Sequence, residues 1–517
     1  MGEEQVLNGR TGATALQGVL RQALQPNGKP SAPAQPPAAA PAGFTADGGS
    51  AGGPGSTAGA LSAPGALPVA WTVIQALQDA VATDMVEADE RSPLPSEADR
   101  EERAVSLVAQ RVSAWAVAHA RTAAPLSTAQ LDQVRRAILD SMLKAGPLQR
   151  FLDDPDVENV VVHGDRTTVD YYSRPTEEAG PIAPTHEDLV SLVNRLAQRS
   201  GHGERLLSPA TPMIHFRLPD RSRAVATTLS GPPFLGIRRH RVMEARLHDL
   251  RDLGMLSPAL AAFLHALVLA RKSVLVAGNV GAGKTTLLRS AAREIPHGER
   301  VITLETDREL YLDEDPAGGA HFVAMEARDS NGEVGRDGKL SGQITIADMY
   351  PTTLRMLASR VIVGEVRGVE AVSMLDAMSS GGRGSMCTLH ADSARLVLPR
   401  LTQLCRPAGL SREEIHELIA NSVDFIVYVT QIDDTSRGGR RHRFVSHIWQ
   451  ITPGEAGSPS FTQVFAPDPQ SGEVRAVPQL NPVDGCLDDL MDVGFDRRWL
   501  EPVHGRWPSE LTVVKRR

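Results

Sequence analysis

The alternation of apolar and polar positions changes character several times along the chain, and each change marks a different kind of element. Within residues 69–145, apolar side chains recur at helical spacing in three blocks: Val73, Ile74, Leu77 and Val81; Ala104, Leu107, Val108 and Val112; Leu131, Val134, Ile138 and Met142. This spacing predicts a small helical domain. Period-two patterning takes over at ENVVVHG (Glu158 to Gly164) and TTVDYY (Thr167 to Tyr172), with Asp165 and Arg166 between them. Such a pair predicts a β-hairpin, and a helix is expected over Glu187 to Arg199, so residues 146–245 read as an α+β domain. From Leu250 onward, the apolar runs SVLVAG (Ser273 to Gly278), VITLE (Val301 to Glu305) and RVIVGE (Arg360 to Glu365) alternate with helical segments. Unbroken apolar strands between helices predict a mainly parallel sheet covered on both faces, expected over 246–455. Residues 456–517 carry mixed, Pro-rich signals and form a C-terminal extension; no internal repeat is visible.

The most apolar stretch, Pro258 to Ala270, contains His265 and stops at Arg271 and Lys272, short of the roughly 20 residues a membrane-spanning helix needs. It reads as a buried helix, and no transmembrane segment is expected. From Pro26 to Pro68 the chain is almost entirely Ala, Gly, Pro and Ser, a composition that cannot bury enough surface to offset its ordering entropy. Residues 1–68 are therefore expected to be a disordered tail and linker, in which Leu16, Val19, Leu20 and Leu24 have the spacing of one short amphipathic helix. The acidic start MGEEQVLNG lacks the charge of an export signal, and Val6 stands where a myristoylation motif has Ser or Thr.

At 517 residues the length suits roughly three folded units at about 150 residues each. The 54 basic and 62 acidic side chains leave a formal charge of -8, which gives no general reason to expect a sequence-independent grip on nucleic acid. Three cysteines, Cys387, Cys405 and Cys486, have neither disulfide-framework nor zinc-site spacing, in keeping with a reducing cytoplasm. Cys387 reads as a small buried apolar residue.

The strongest chemical signal is Gly278-Asn279-Val280-Gly281-Ala282-Gly283-Lys284-Thr285, which matches GxxxxGK[ST] in full. It follows an apolar strand and precedes a helical segment beginning Thr285-Thr286, the context in which a glycine-rich loop and a helix N-terminus together cradle phosphates. Lys284 is expected to bridge the β- and γ-phosphates of ATP, and Thr285 to offer its hydroxyl to Mg²⁺. A carboxylate is also required near metal and water, and two stand at strand ends: Glu305 and Glu365. Gly364 occupies the place where many such strands carry the metal-ordering Asp, so Glu365 acts on Mg²⁺ through water or on the attacking water itself. His390, after another apolar run, senses the γ-phosphate or positions a neighbour. Arg355 and Arg367 flank the Glu365 strand as coupling residues or structural ion pairs. Leu340-Ser341-Gly342-Gln343 resembles a degraded ABC-transporter signature but lacks its second glycine. The stretch Asp433 to Arg443 concentrates four arginines between apolar strands and reads as a solvated hairpin tip.

Taken in order, GNVGAGKTTLL, TLETDREL (Thr303 to Leu310), AMEARDSN (Ala324 to Asn331), TLRMLASRVIVGEVRG (Thr353 to Gly368) and GSMCTLHADSARLVLPRL (Gly384 to Leu401) resemble the type II/IV secretion-system ATPase family, especially its CpaF-like pilus-assembly branch. Upstream, GPLQRFLDDPDVENVVVHG (Gly146 to Gly164), FRLPDRSR (Phe216 to Arg223) and GIRR (Gly236 to Arg239) are similar to that branch's N-terminal domain. The resemblance covers roughly residues 146–430. It implies a RecA-like P-loop ATPase domain, an α/β fold, acting in a hexameric ring, with nucleotide between the N-terminal and RecA-like domains. Glu305 then matches the acidic residue of the Asp box, Glu365 the Walker B glutamate and His390 the His box. Arg223 and Arg238 match arginines that reach phosphates. Two departures stand out: Glu305-Thr306 replaces the usual Glu-Asp pair, with Asp307 one position late, and Leu357 replaces an Arg. The expectation is a Mg²⁺-dependent cytoplasmic motor that works on inner-membrane platform proteins without itself touching nucleic acid. A DNA-conjugation motor on the same scaffold is the alternative.

Overall fold

The computed structural model describes residues 69–93, 96–200, 206–315, 319–328, 330, 342–379, 382–483 and 485–513. The expected tail and its amphipathic helix, and Leu340-Ser341 of the ABC-like stretch, lie outside the described residues. The described residues pack as two units, one from those up to Pro155 with Val160–Thr168 and Glu178–Ile237, the other from Asp156–Asn159, Val169–Glu177 and those from Arg238 onward.

In the first unit, helices Trp71–Arg91, Glu97–His119 and Thr128–Leu143 bury Ile74, Leu77, Val81, Val108, Val112, Val134 and Ile138 against one another. These residues come from the three periodic blocks. Local chemistry fixes the helix starts: the Ser96 side chain accepts from the Asp99 amide, and Ser127 with Gln130 forms a reciprocal capping box. The six-stranded sheet is built from β1 (Val157–His163), β2 (Arg166–Tyr171), β3 (Glu177–Glu178), β4 (Met213–Arg217), β5 (Arg223–Thr227) and β6 (Phe234–Arg238), in the order β3-β2-β1-β6-β5-β4. The helix expected at Glu187 spans His186–Arg199 and is capped by Thr185.

The second unit centres on a nine-stranded sheet. Its strands are β7 (Val274–Gly278), β8 (Arg300–Glu305), β9 (His321–Glu326), β10 (Arg360–Val366), β11 (Met386–His390), β12 (Phe425–Asp433), β13 (Arg441–Pro453), β14 (Pro459–Asp468) and β15 (Glu473–Pro478), ordered β15-β14-β13-β12-β7-β11-β10-β8-β9. The six from β12 to β9 run parallel, and β13, β14 and β15 continue the sheet antiparallel. Both faces are covered, as the continuous apolar strands require. Along β7, Val274 and Val276 enter one core while Leu275 and Ala277 enter the other. The apolar stretch forms helix Pro258–Leu269, started by Ser257 and proline and largely buried. Phe263 on this helix meets Phe425, Phe465 and Phe495 with ring centroids 5.7, 5.1 and 5.5 Å away. Phe465, Cys486, Leu490, Phe495 and Leu500 thereby join the same core, so the chain's last stretch is part of this unit's interior. Cys387 is fully buried, and burial pushes its thiol pKa upward. No helix among the described residues is long and apolar enough to cross a membrane.

Candidate phosphate site

At the carboxyl end of β7 the chain turns through Asn279–Gly283 into helix Lys284–Ala292. Two glycines have identifiable physical reasons. A Cβ on Gly278 would lie 2.4 Å from the Val429 carbonyl oxygen of neighbouring β12, and Gly283 starts the helix at φ +96°. The loop between them exposes Val280 and buries Ala282, while Gly281 has φ +76°. Thr285 and Thr286 are half-buried in the first helical turn.

Lys284 is buried, and its Nζ donates to the Asn279 carbonyl at 3.0 Å and to His390 Nδ1 at 3.0 Å. His390 stands at the end of β11, in register with Gly278 of β7. Its Nε2 is 2.7 Å from Glu365 Oε1 on β10. An ammonium can only donate, so His390 Nδ1 accepts from Lys284, while Nε2 faces Glu365 at ion-pair distance without an aligned hydrogen bond to Oε1. Arg367 completes the far side, with Nε 2.6 Å from Glu365 Oε2 and Nη1 3.8 Å from Asp307 Oδ2. Of the two readings of Arg367, the ion pair is therefore present. The chain Lys284–His390–Glu365–Arg367 thus runs from the first turn of a helix across the carboxyl ends of two adjacent parallel strands, β11 and β10.

Burial holds the Lys284 pKa down at about 8, with Arg238 and Arg367 pushing the same way and Glu365 and Glu309 opposing them. Arg238, the last residue of β6, is thus within electrostatic reach of the loop lysine. Burial alone would raise the Glu365 carboxyl, but His390 and Arg367 overcome it and bring its pKa to about 2. Glu305 has the opposite fate. It ends β8 almost fully buried, and burial drives its pKa up to about 7 although Oε1 accepts the Glu309 and Leu310 amides at 2.9 and 3.0 Å.

Glu305 also explains Gly364. In the β10–β8 register Val363 lies opposite Leu304, so Gly364 and Glu305 are the next residues along each strand. A Cβ at position 364 would fall 2.9 Å from Glu305 Cγ and 3.1 Å from its Oε1. The space where an Asp side chain would begin is filled by the carboxylate of the adjacent strand.

Lys284, His390 and Glu365 are brought into direct contact, with Glu305 beside the glycine that precedes Glu365. Arg223 lies in the first unit, at the start of β5 opposite Arg217. Sequence reasoning missed Arg443. Its Nε donates to the Gly281 carbonyl at 2.7 Å, and its two terminal nitrogens clasp Glu158 at 2.7 and 2.9 Å. Arg441 joins Glu158 at 2.8 Å and Asp433 at 2.9 Å. The arginine-rich stretch is therefore no simple solvated tip: Arg441 and Arg443 are largely buried in ion pairs. The only sequence signal was an unusual density of guanidinium groups between two strands.

The description "Type II/IV secretion system protein" matches residues 195–458. A Mycobacterium tuberculosis protein named for conjugal transfer is 33% identical over 261 residues, 48% of this chain and 70% of its own length. Type IV secretion system protein PtlH of Bordetella pertussis is 35% identical over 191 residues, 36% of this chain and 52% of PtlH, so the chain spans about half of that relative. The crystal structure of the VirB11 ATPase from the Brucella suis type IV secretion system, in complex with sulphate, is 26% identical and covers 59% of this chain and 95% of that one, with a TM-score of 0.30. The matched residues take in the phosphate loop, both strand-end glutamates and His390, and the chain belongs to the type II/IV secretion system protein family.

Proposed function

We propose that this chain is an ATPase motor of the CpaF-like branch, hydrolysing ATP to drive pilus assembly or protein export. In this reading it works as a hexamer at the cytoplasmic face of the membrane, held there by inner-membrane platform proteins. The observation that carries the reading is the buried Lys284, set in a complete phosphate loop and linked through His390 to Glu365. The loop fits a nucleotide: its glycines leave room for phosphate oxygens, and a buried ammonium with depressed pKa gains most from an anionic ligand.

When ATP enters, Lys284 exchanges the Asn279 carbonyl and His390 for the β- and γ-phosphates, and the amides of Gly278 to Thr286 line the phosphate chain. Bound Mg²⁺ would neutralise developing phosphate charge, and the Thr285 hydroxyl with the ionised Glu365, directly or through water, are the groups to hold it. Released from Lys284, His390 is free to report the γ-phosphate to Glu365. Water attacks in line with the leaving oxygen. Glu305, with a pKa about 7, and Glu365, held at about 2, divide the acid–base and charge-holding tasks as two carboxylates in unlike surroundings do. Arg238 and Arg223 complete the set by meeting the γ-phosphate, for which a permanent forked charge is suited. Its loss on hydrolysis then lets the domains reopen.

The test is phosphate release by the purified full chain. Turnover should require Mg²⁺ and vanish in Lys284→Ala. A Lys284→Ala protein as active as the parent removes the reading. The relative named for conjugal transfer favours a second one, a DNA-translocating motor. Stimulation of turnover by DNA, lost steeply with salt, would select it, whereas indifference to DNA selects secretion.

A further inference from the structure

The phosphate loop is tied from behind by a group that the ATPase reading leaves without a role. Arg443 stands on β13, in register with Gln431 of β12, and β12 in turn lies beside β7, which feeds the loop. Its side chain runs under the loop. The Cδ would be 3.6 Å from a Cβ on Gly283, the Nε donates to the Gly281 carbonyl at 2.7 Å, and the same Nε is 3.2 Å from Gln431 Oε1. The two remaining nitrogens grip both oxygens of Glu158 in a fork-to-fork pair. Arg441 and, at 3.6 Å, Arg241 hold the same carboxylate from other sides. Burial alone would raise the Glu158 pKa, but Arg443 and Arg441 outweigh it and bring it below its ordinary value, so the anchor stays ionised.

We propose that Arg443 is a positioning residue of the nucleotide site, and that Glu158, Arg443 and the Gly281 carbonyl form a strut that sets the loop's shape before a ligand arrives. The inference rests on the loop being the ATP site. Gly281 sits in the left-handed region, where glycine has little preference of its own, so something outside the loop must select its peptide orientation. A charged donor 2.7 Å from that carbonyl does so, and Glu158 denies the guanidinium any other position. Ordering the loop in advance removes a cost from binding and leaves the chemical step nearly untouched. Lysine cannot reproduce this arrangement. Its single ammonium cannot clasp both carboxylate oxygens in plane while donating sideways to a carbonyl.

The test compares ATP hydrolysis and Mg²⁺–ADP binding by calorimetry in the full-length parent, Arg443→Lys, Glu158→Gln and the double variant. Arg437→Lys, on the same hairpin but paired with Asp434, serves as the control. Arg443→Lys should raise KM and the ADP Kd about ten-fold, the scale of one charge-assisted hydrogen bond, with kcat within about two-fold. Glu158→Gln should act in the same direction. The double variant should lose less than the product of the two single effects, because each breaks the same strut. Unchanged affinity in a folded Arg443→Lys protein, a fall in kcat at constant KM, or independent multiplication of the two effects overturns the proposal. Should Arg443→Lys fail to fold, Glu158→Gln alone decides it by the same KM and kcat criterion. A parent protein that binds no ADP would instead sink the ATPase reading.

Discussion

Substituting Gly364 by alanine adds one methyl group at the most closely packed point between the two strand-end glutamates. That methyl would arrive 2.9 Å from Glu305 Cγ, well inside van der Waals contact. Glu305 cannot easily yield, because it is 2% exposed and its Oε1 is fixed by two backbone amides. The Gly364 backbone is held too, its carbonyl accepting from Thr388 Oγ1 at 2.6 Å. Overpacking of this kind costs about 1–3 kcal/mol, and displacing the carboxylate from the Glu309 and Leu310 amides adds about 1 kcal/mol. A total of about 2–4 kcal/mol corresponds to a fall of roughly 3–7 °C in Tm for a unit of this size. Scanning calorimetry of Gly364→Ala, Glu305→Ala and the double variant measures it. The double variant should be less destabilised than the sum of the singles, because truncating Glu305 makes room for the new methyl. A Gly364→Ala protein melting within 1 °C of the parent, or strictly additive effects, would refute the steric account of this glycine.

Two further outcomes are expected. Lys284 sits at about 8 in the free protein and phosphate raises it, so nucleotide binding near pH 8.5 should take up protons and weaken as pH rises further. Calorimetry in buffers of different ionisation enthalpy reads the uptake, and heats independent of the buffer would contradict it. Leu357 follows helix Ile346–Arg355 at φ +59° and is 74% exposed, so it bears left-handed strain without burying its side chain. Leu357→Gly should raise stability by about 0.5–1 kcal/mol, and a lower Tm in thermal melts would count against this.

What could be read without coordinates was whatever depends on neighbours in sequence. The phosphate loop, its strand and its helix are contiguous, as are the three periodic blocks whose Ile74, Val108 and Ile138 meet in one core. Glu305 and Glu365 were recognisable as strand-end acids, but their opposite electrostatic environments were not. Those depend on which residue lies across the strand pair and on a histidine 25 positions downstream of Glu365. The Glu158–Arg443 pair joins residues 285 apart, and no local pattern announces such a partner. The final segment read as mixed because β14 alternates weakly, burying Val464, Phe465 and Ala466 in succession after a mostly exposed start.

The three rings around Phe263 also set a timetable for biosynthesis. One comes from helix Pro258–Leu269's neighbour strand β12, but the other two, Phe465 and Phe495, are translated some 200 residues later than Phe263 itself. A nascent chain already carrying its phosphate loop therefore leaves an oily helix face incompletely covered until some 200 further residues have been added. Premature stop codons beyond β13 would then yield sticky, chaperone-bound fragments in place of shortened motors.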